Sequence, residues 1–118
     1  MKIRIKGNSL RYRLTRTDVD TFTKNGYLEE QTNFGGNTLI YAIQSSDTDT
    51  LTSSFKNNKI TVLMPVAMVK EWADTERVGF ENRTADFFLL VEKDFKCLDN
   101  VEEDQSDNYP NPLAKGNN

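Results

Sequence analysis

Shifted by 50 residues, the first half of this 118-residue chain overlays the second without a gap. Lys6 falls on Lys56, Asn8 on Asn58, Leu10 on Ile60, Tyr12 on Val62, Leu14 on Met64, Val19 on Val69 and Phe22 on Trp72. Further on, Leu28 falls on Val78, Leu39 on Leu89, Ile40 on Leu90 and Tyr41 on Val91. Most of these pairs are likenesses of type, and two hairpin-helix units of similar length share part of such spacing in any case. An internal repeat nevertheless determines a whole architecture, so it is read first. The preferred reading is two strand-strand-helix-strand-strand units, over about 1–48 and 51–98.

The first unit opens with Lys2 to Leu14, where apolar and cationic residues alternate on either side of a Gly7-Asn8-Ser9 turn. Period-two alternation predicts a β-hairpin with Ile3, Ile5, Leu10, Tyr12 and Leu14 on one face. Lys2, Arg4, Lys6, Arg11 and Arg13 then share the other. Thr17 is the expected N-cap of a helix over about 17–25, with Asp18 and Asp20 in its first turn and Gly26 at its end. Val19 and Phe22 share a face of that helix. Tyr27 to Phe34 and Thr38 to Ile43 form a second hairpin across Gly35-Gly36-Asn37. The second unit repeats the plan: Leu51 to Phe55, a turn at Lys56-Asn57-Asn58, Ile60 to Met64, a helix over 65–73 opened by Pro65, and strands at Arg77 to Glu81 and Phe87 to Val91.

Eight strands and two short helices make an α+β domain. Unpaired strand edges invite aggregation, so the expected form is a mainly antiparallel eight-stranded barrel or strongly curved sheet. Phe22 and Trp72 should fill equivalent places in its core. Residues 99–118 read as an acidic, poorly ordered or loosely docked tail, in which Tyr109 and Leu113 could pin a segment to the body.

Composition removes several function classes. With no histidine, neither a Ser-His nor a Cys-His nucleophile exists, nor any His-containing zinc site. The six glycines form no phosphate-cradling loop, so no nucleotide cofactor is implied. Cys97 is the only cysteine, excludes an intramolecular disulfide and reads as an inert thiol. A net charge of −3 and a pI near 5.0 disfavour a nucleic-acid partner. No apolar run approaches a membrane span and the N-terminus carries no apolar leader core, so a cytoplasmic protein without membrane association is expected.

What remains is the basic hairpin face. Lys2, Arg4, Lys6, Arg11 and Arg13 are candidate ligand-binding residues for an anionic small molecule or an acidic protein segment, because arginine presents a planar fork of donors to phosphate or carboxylate. The plainer reading is a solvated strand face whose cations are neutralised by Glu29, Glu30 or the acidic tail. Two other classes compete. One is a metal-dependent phosphohydrolase of the triphosphate-tunnel type, with Glu92 and Asp94 as metal ligands, although the N-terminal strand lacks that family's alternating glutamates. The other is a scaffold that oligomerises through a sheet edge. Asp47-Thr48-Asp49 reads as a turn, and no metal site is assigned. Trp72 and Phe87-Phe88 are expected in the core; a base-stacking platform would require them exposed beside the cations.

The opening Met1-Lys2-Ile3-Arg4-Ile5-Lys6-Gly7-Asn8-Ser9, the Val91-Glu92-Lys93-Asp94-Phe95-Lys96-Cys97-Leu98 stretch and the Glu103-Asp104 to Tyr109-Pro110-Asn111-Pro112 segment together resemble a family of short uncharacterised bacterial proteins. The resemblance spans most of the chain. It implies a single cytosolic domain and carries over no catalytic residue.

Overall fold

The computed structural model describes residues 1–95. The expected tail and Cys97 lie outside the described residues. In order, the elements are β1 (Lys2–Lys6), β2 (Ser9–Leu14), α1 (Arg16–Asn25), β3 (Tyr27–Asn33), β4 (Thr38–Ser46), β5 (Thr52–Lys56), β6 (Lys59–Pro65), α2 (Val66–Asp74), β7 (Gly79–Arg83) and β8 (Phe88–Lys93). Each half therefore runs strand-strand-helix-strand-strand.

The 50-residue offset carries through to pairing. Lys2 opposes Arg13 as Thr52 opposes Leu63, Lys6 opposes Ser9 as Lys56 opposes Lys59, and Glu30 opposes Tyr41 as Phe80 opposes Val91. Between halves the hairpins exchange. The first sheet has the order β1-β2-β8-β7 and the second β3-β4-β6-β5. Each sheet is thus one half's first hairpin joined to the other half's second hairpin, through a parallel β2–β8 or β4–β6 ladder. These two ladders differ in register. Leu10 pairs with Leu89, which would map onto Ile60 with Leu39, yet Ile60 pairs with Tyr41. A slip of two residues leaves every side chain on its own face, whereas a slip of one would turn the core outward.

Four of the six ladders are antiparallel, as expected, but the strands form no closed barrel. The parallel ladders satisfy the inner strand of every hairpin and leave β1, β7, β3 and β5 as edges, so the sheet is split in two. The edges are tied together by side chains instead. Asn82 Nδ2 donates to the Leu51 carbonyl at 2.8 Å, and the Met1 amine bonds Glu30.

The core lies between the sheets and the helices. Leu10, Tyr12 and Leu14 of β2, Ile60, Val62 and Met64 of β6, and Leu89 and Val91 of β8 all point into it. Phe22 and Trp72 are both fully buried, in the equivalent places expected of them. Large rings of this kind bury about 150–250 Å² each and dominate a small core. Across the sheets, the Tyr12 hydroxyl donates to the Ile60 carbonyl at 3.3 Å, and its ring meets Tyr41 edge-on. Ile5 departs from expectation. It sits on the inward face but is 61% exposed, because β1 is an edge strand and Ile5 lies beside its turn; its counterpart Phe55 is 67% exposed.

Both helices start one residue from where the sequence suggested. Thr15, and not Thr17, caps α1: its side chain accepts from the Asp18 N–H at 3.1 Å while Asp18 accepts from the Thr15 N–H at 3.0 Å. This reciprocal box satisfies two of the N–H groups a helix start leaves unpaired. Gly26, at φ 74°, closes the helix by donating to the Phe22 carbonyl. Pro65 occupies the cap position of α2, one residue before the helix. No helix among the described residues is long and apolar enough to cross a membrane.

Candidate functional site: the cationic outer face of the first sheet

Because Leu10, Tyr12 and Leu14 face the core, the alternating residues of β2 face away from it, and the ladders carry that face across four strands. It forms three rows. Lys2, Arg13, Glu92 and Gly79 lie abreast; next come Arg4, Arg11, Leu90 and Glu81; then Lys6, Ser9, Phe88 and Arg83. All five sequence-predicted residues meet on this one surface. A sixth cation, Arg83, joins them from β7.

Among the described residues the counterions are not the expected Glu29 and Glu30. Arg11 donates through Nε to Glu92 Oε1 at 2.7 Å and bonds the same oxygen through Nη2, and Arg13 Nε reaches that oxygen at 3.1 Å. Lys2 Nζ pairs with Asp94 at 3.0 Å. Glu30 is engaged by the Met1 amine, and Glu29 by Tyr27 and Lys59. The reason is topological: the strand beside β2 is β8, while β3 belongs to the other sheet.

The same geometry bears on the metal reading. Glu92 and Asp94, its proposed ligands, are held by Arg11, Arg13 and Lys2. Among the described residues no three Cys, Asp or Glu side chains gather to hold a metal ion. Asp47-Thr48-Asp49 is part of a turn, with the Ser46 hydroxyl accepting from the Thr48 N–H at 3.0 Å.

Phe87 and Phe88 divide. Phe87 packs against the core, but Phe88 is half-buried on the outer face and carries the Arg83 guanidinium 4.3 Å above its ring centroid. Sequence reading missed Arg83 because it ended the strand at Glu81. Alternation extended by two residues, from Phe80 inward to Glu81 outward and on through Asn82, would have found it.

The second sheet offers an internal comparison. Lys2, Arg4, Arg11 and Arg13 map onto Thr52, Ser54, Thr61 and Leu63, and only Lys6 maps onto a cation, Lys56. A cavity of about 580 Å³ also opens between α1, α2 and the end of β8, over Leu14, Val19 and Trp72. Its rim mixes Arg16 and Lys93 with Glu76, and so presents no single sign of charge.

No curated protein and no solved structure matches the chain. A model of a family of unknown function, DUF7009, matches residues 1–113, and the chain belongs to that family.

Proposed function

We propose that the protein is a non-enzymatic binding module that takes anionic ligands on the outer face of its first sheet. One observation carries this reading: six cations share that face with three carboxylates, Glu81, Glu92 and the Asp94 paired to Lys2, in a chain of net charge −3. The excess is local, and a charged ligand responds to charges within a screening length of about 8–10 Å, not to the total. Arg11 and Arg13 are held by Glu92 in a fixed orientation, so their forks are arranged before a ligand arrives.

The identical hairpin registers support duplication of one ββαββ unit as the origin of the fold. On that reading the inward residues are the shared inheritance. The cations of β1 and β2 are what distinguishes the first copy.

Titration of the full chain with inorganic phosphate, polyphosphate and an acidic peptide, followed by NMR, tests the module. Resonances of Arg4, Arg11 and Arg13 should move with at least one of these ligands and recover as salt is added. Unmoved resonances at all three sites would refute the proposal.

A further inference from the structure

The outer face of the first sheet is not uniformly basic; cations and stacking surface lie side by side on it. β1 and β2 supply Lys2, Arg4, Lys6, Arg11 and Arg13, whereas β8 supplies Leu90 and Phe88, both half-buried and outward. Arg83 on the far edge is exposed and lies over the Phe88 ring. We infer that the ligand of this face is single-stranded nucleic acid, its phosphates on the β1–β2 cations and a base stacked on the Arg83–Phe88 pair. This rests on the anion-binding reading above and narrows it.

The argument is one of spacing and chemistry. Neighbouring strands lie about 4.8 Å apart, so the cations of β2 and the ring of β8 are one strand apart and those of β1 two, about 5–10 Å. That is the separation between a phosphate and its own base. A ligand offering carboxylates or phosphates alone would use β1 and β2 and leave β8 and β7 idle. A guanidinium lying on a ring presents its other planar side outward, and such planes, like aromatic rings, are what unstacked bases settle on. An open four-stranded sheet has room for about two or three nucleotides in this manner. The overall acidity that disfavoured nucleic acid is a property of the whole chain; this face carries the opposite sign.

The second sheet shows what the arrangement looks like without the feature. Its sequence counterparts of Phe88 and Arg83 are Thr38 and Asn33, the residues that stand in the corresponding row are Ile40 and Gln31, and of its cations Lys56 and Lys59 remain. The second sheet's own cation–ring contact is a lysine, Lys59, 5.0 Å from the Tyr27 centroid; the planar arginine on a ring and the arginines of β1 and β2 occur together in the first sheet only.

The test uses the full chain and three probes of matched charge: a fluorescein-labelled oligouridylate ten-mer, inorganic polyphosphate and an oligoglutamate peptide. The ten-mer should bind more tightly than either competitor. Arg83→Lys keeps the charge and removes the plane, and Phe88→Leu keeps the apolar contact and removes the ring. Each should weaken ten-mer binding at least about 5-fold, the lower end of what one stacked base contributes, and leave polyphosphate binding unchanged. Arg11→Ala should weaken both. If polyphosphate or the peptide binds as tightly as the ten-mer, or if R83K and F88L affect neither or both ligands alike, the nucleic-acid inference is overturned and the anion site stands. If none of the three probes binds, both readings fall.

Discussion

Arg11 and Glu92, 81 residues apart in sequence, are joined across a parallel ladder by an Nε to Oε1 hydrogen bond of 2.7 Å. The same oxygen also receives Arg13 at 3.1 Å. One carboxylate thus holds two guanidiniums on the surface where an anion would sit, and it is both their organiser and the ligand's competitor. Glu92→Gln keeps the shape of the side chain and removes the charge. Binding of polyphosphate should strengthen severalfold at low salt, with a steeper loss as salt rises. Stability should fall by about 1 kcal/mol, the upper end of what partly exposed pairs contribute, because Arg11 and Arg13 would then repel each other. Isotherms at two salt concentrations and a urea midpoint measure both; weaker binding would mean that Glu92 acts mainly by orienting the arginines.

Gly79 stands opposite Glu92 in the β7–β8 ladder, and no side chain fits there. A Cβ at residue 79 would lie 2.2 Å from the Val91 carbonyl oxygen and 2.8 Å from the Glu92 Cα, both backbone atoms. Gly79→Ala must push the strands apart. Overpacking of this kind costs about 1–3 kcal/mol. The displaced strand carries Glu92, so NMR shifts should spread to Arg11 and Arg13 as well as lowering the thermal midpoint. An unchanged midpoint would show that β7 gives way freely.

Strand alternation was legible because the pleat has a strict period of two: Tyr12 and Leu14 went inward and Arg11 and Arg13 outward as read. Which strand lies next to β2 was not legible. Periodicity assigns faces within a strand but says nothing of its neighbour, so Glu29 and Glu30 were expected where Glu92 and Asp94 stand. The closed barrel failed for the same reason, since it required β2 and β3 to share a continuous sheet. Ile5 shows a second limit: its face was read correctly, but its exposure depends on edge position and nearness to the turn. At the start of α1, Thr15 and Thr17 each have an aspartate three residues on, so the capping signal fits two registers. Only the geometry of the box chooses between them. Arg83 was missed through a strand boundary placed two residues early, an error that costs little for the fold and a whole residue for the site.

The capping box makes α1 sensitive to acid. Partial burial acts to raise the Asp18 pKa, but hydrogen bonds from the Met1 amine and from Thr15, with the charge of that amine, outweigh it and hold the carboxyl below its ordinary value. A group with a lowered folded pKa stabilises the fold above its unfolded pKa, near 4, and loses that contribution as pH falls through the folded value. Wild-type stability should therefore decline below about pH 4 more steeply than that of Asp18→Asn, whose curve lacks this component. Thr15→Ala should cost about 1 kcal/mol at neutral pH. Urea midpoints at several pH values decide it: parallel curves for wild type and D18N would remove Asp18 from the acid response.

Trp72 is the only tryptophan, so its fluorescence reports on one place, the centre of the core. Its ring is fully buried, and the indole N–H donates to the Val78 carbonyl at 2.9 Å, which ties α2 to the segment leading into β7. Emission should be blue-shifted and poorly quenched by acrylamide in the folded chain, and should move to longer wavelength in a single transition on unfolding. Phe22 occupies the counterpart position on α1, equally buried but without a polar tie. Replacing either by alanine should cost about 3–5 kcal/mol, a large part of the about 5–15 kcal/mol that holds a domain folded. Ile5→Ser and Phe55→Ser, at the exposed counterpart pair, should each stay within about 0.5 kcal/mol of wild type. The contrast separates burial from residue type, since both pairs are large, apolar and repeated at the same offset. A costly Ile5→Ser with a tolerated Phe22→Ala would mean that the core is not where these side chains place it.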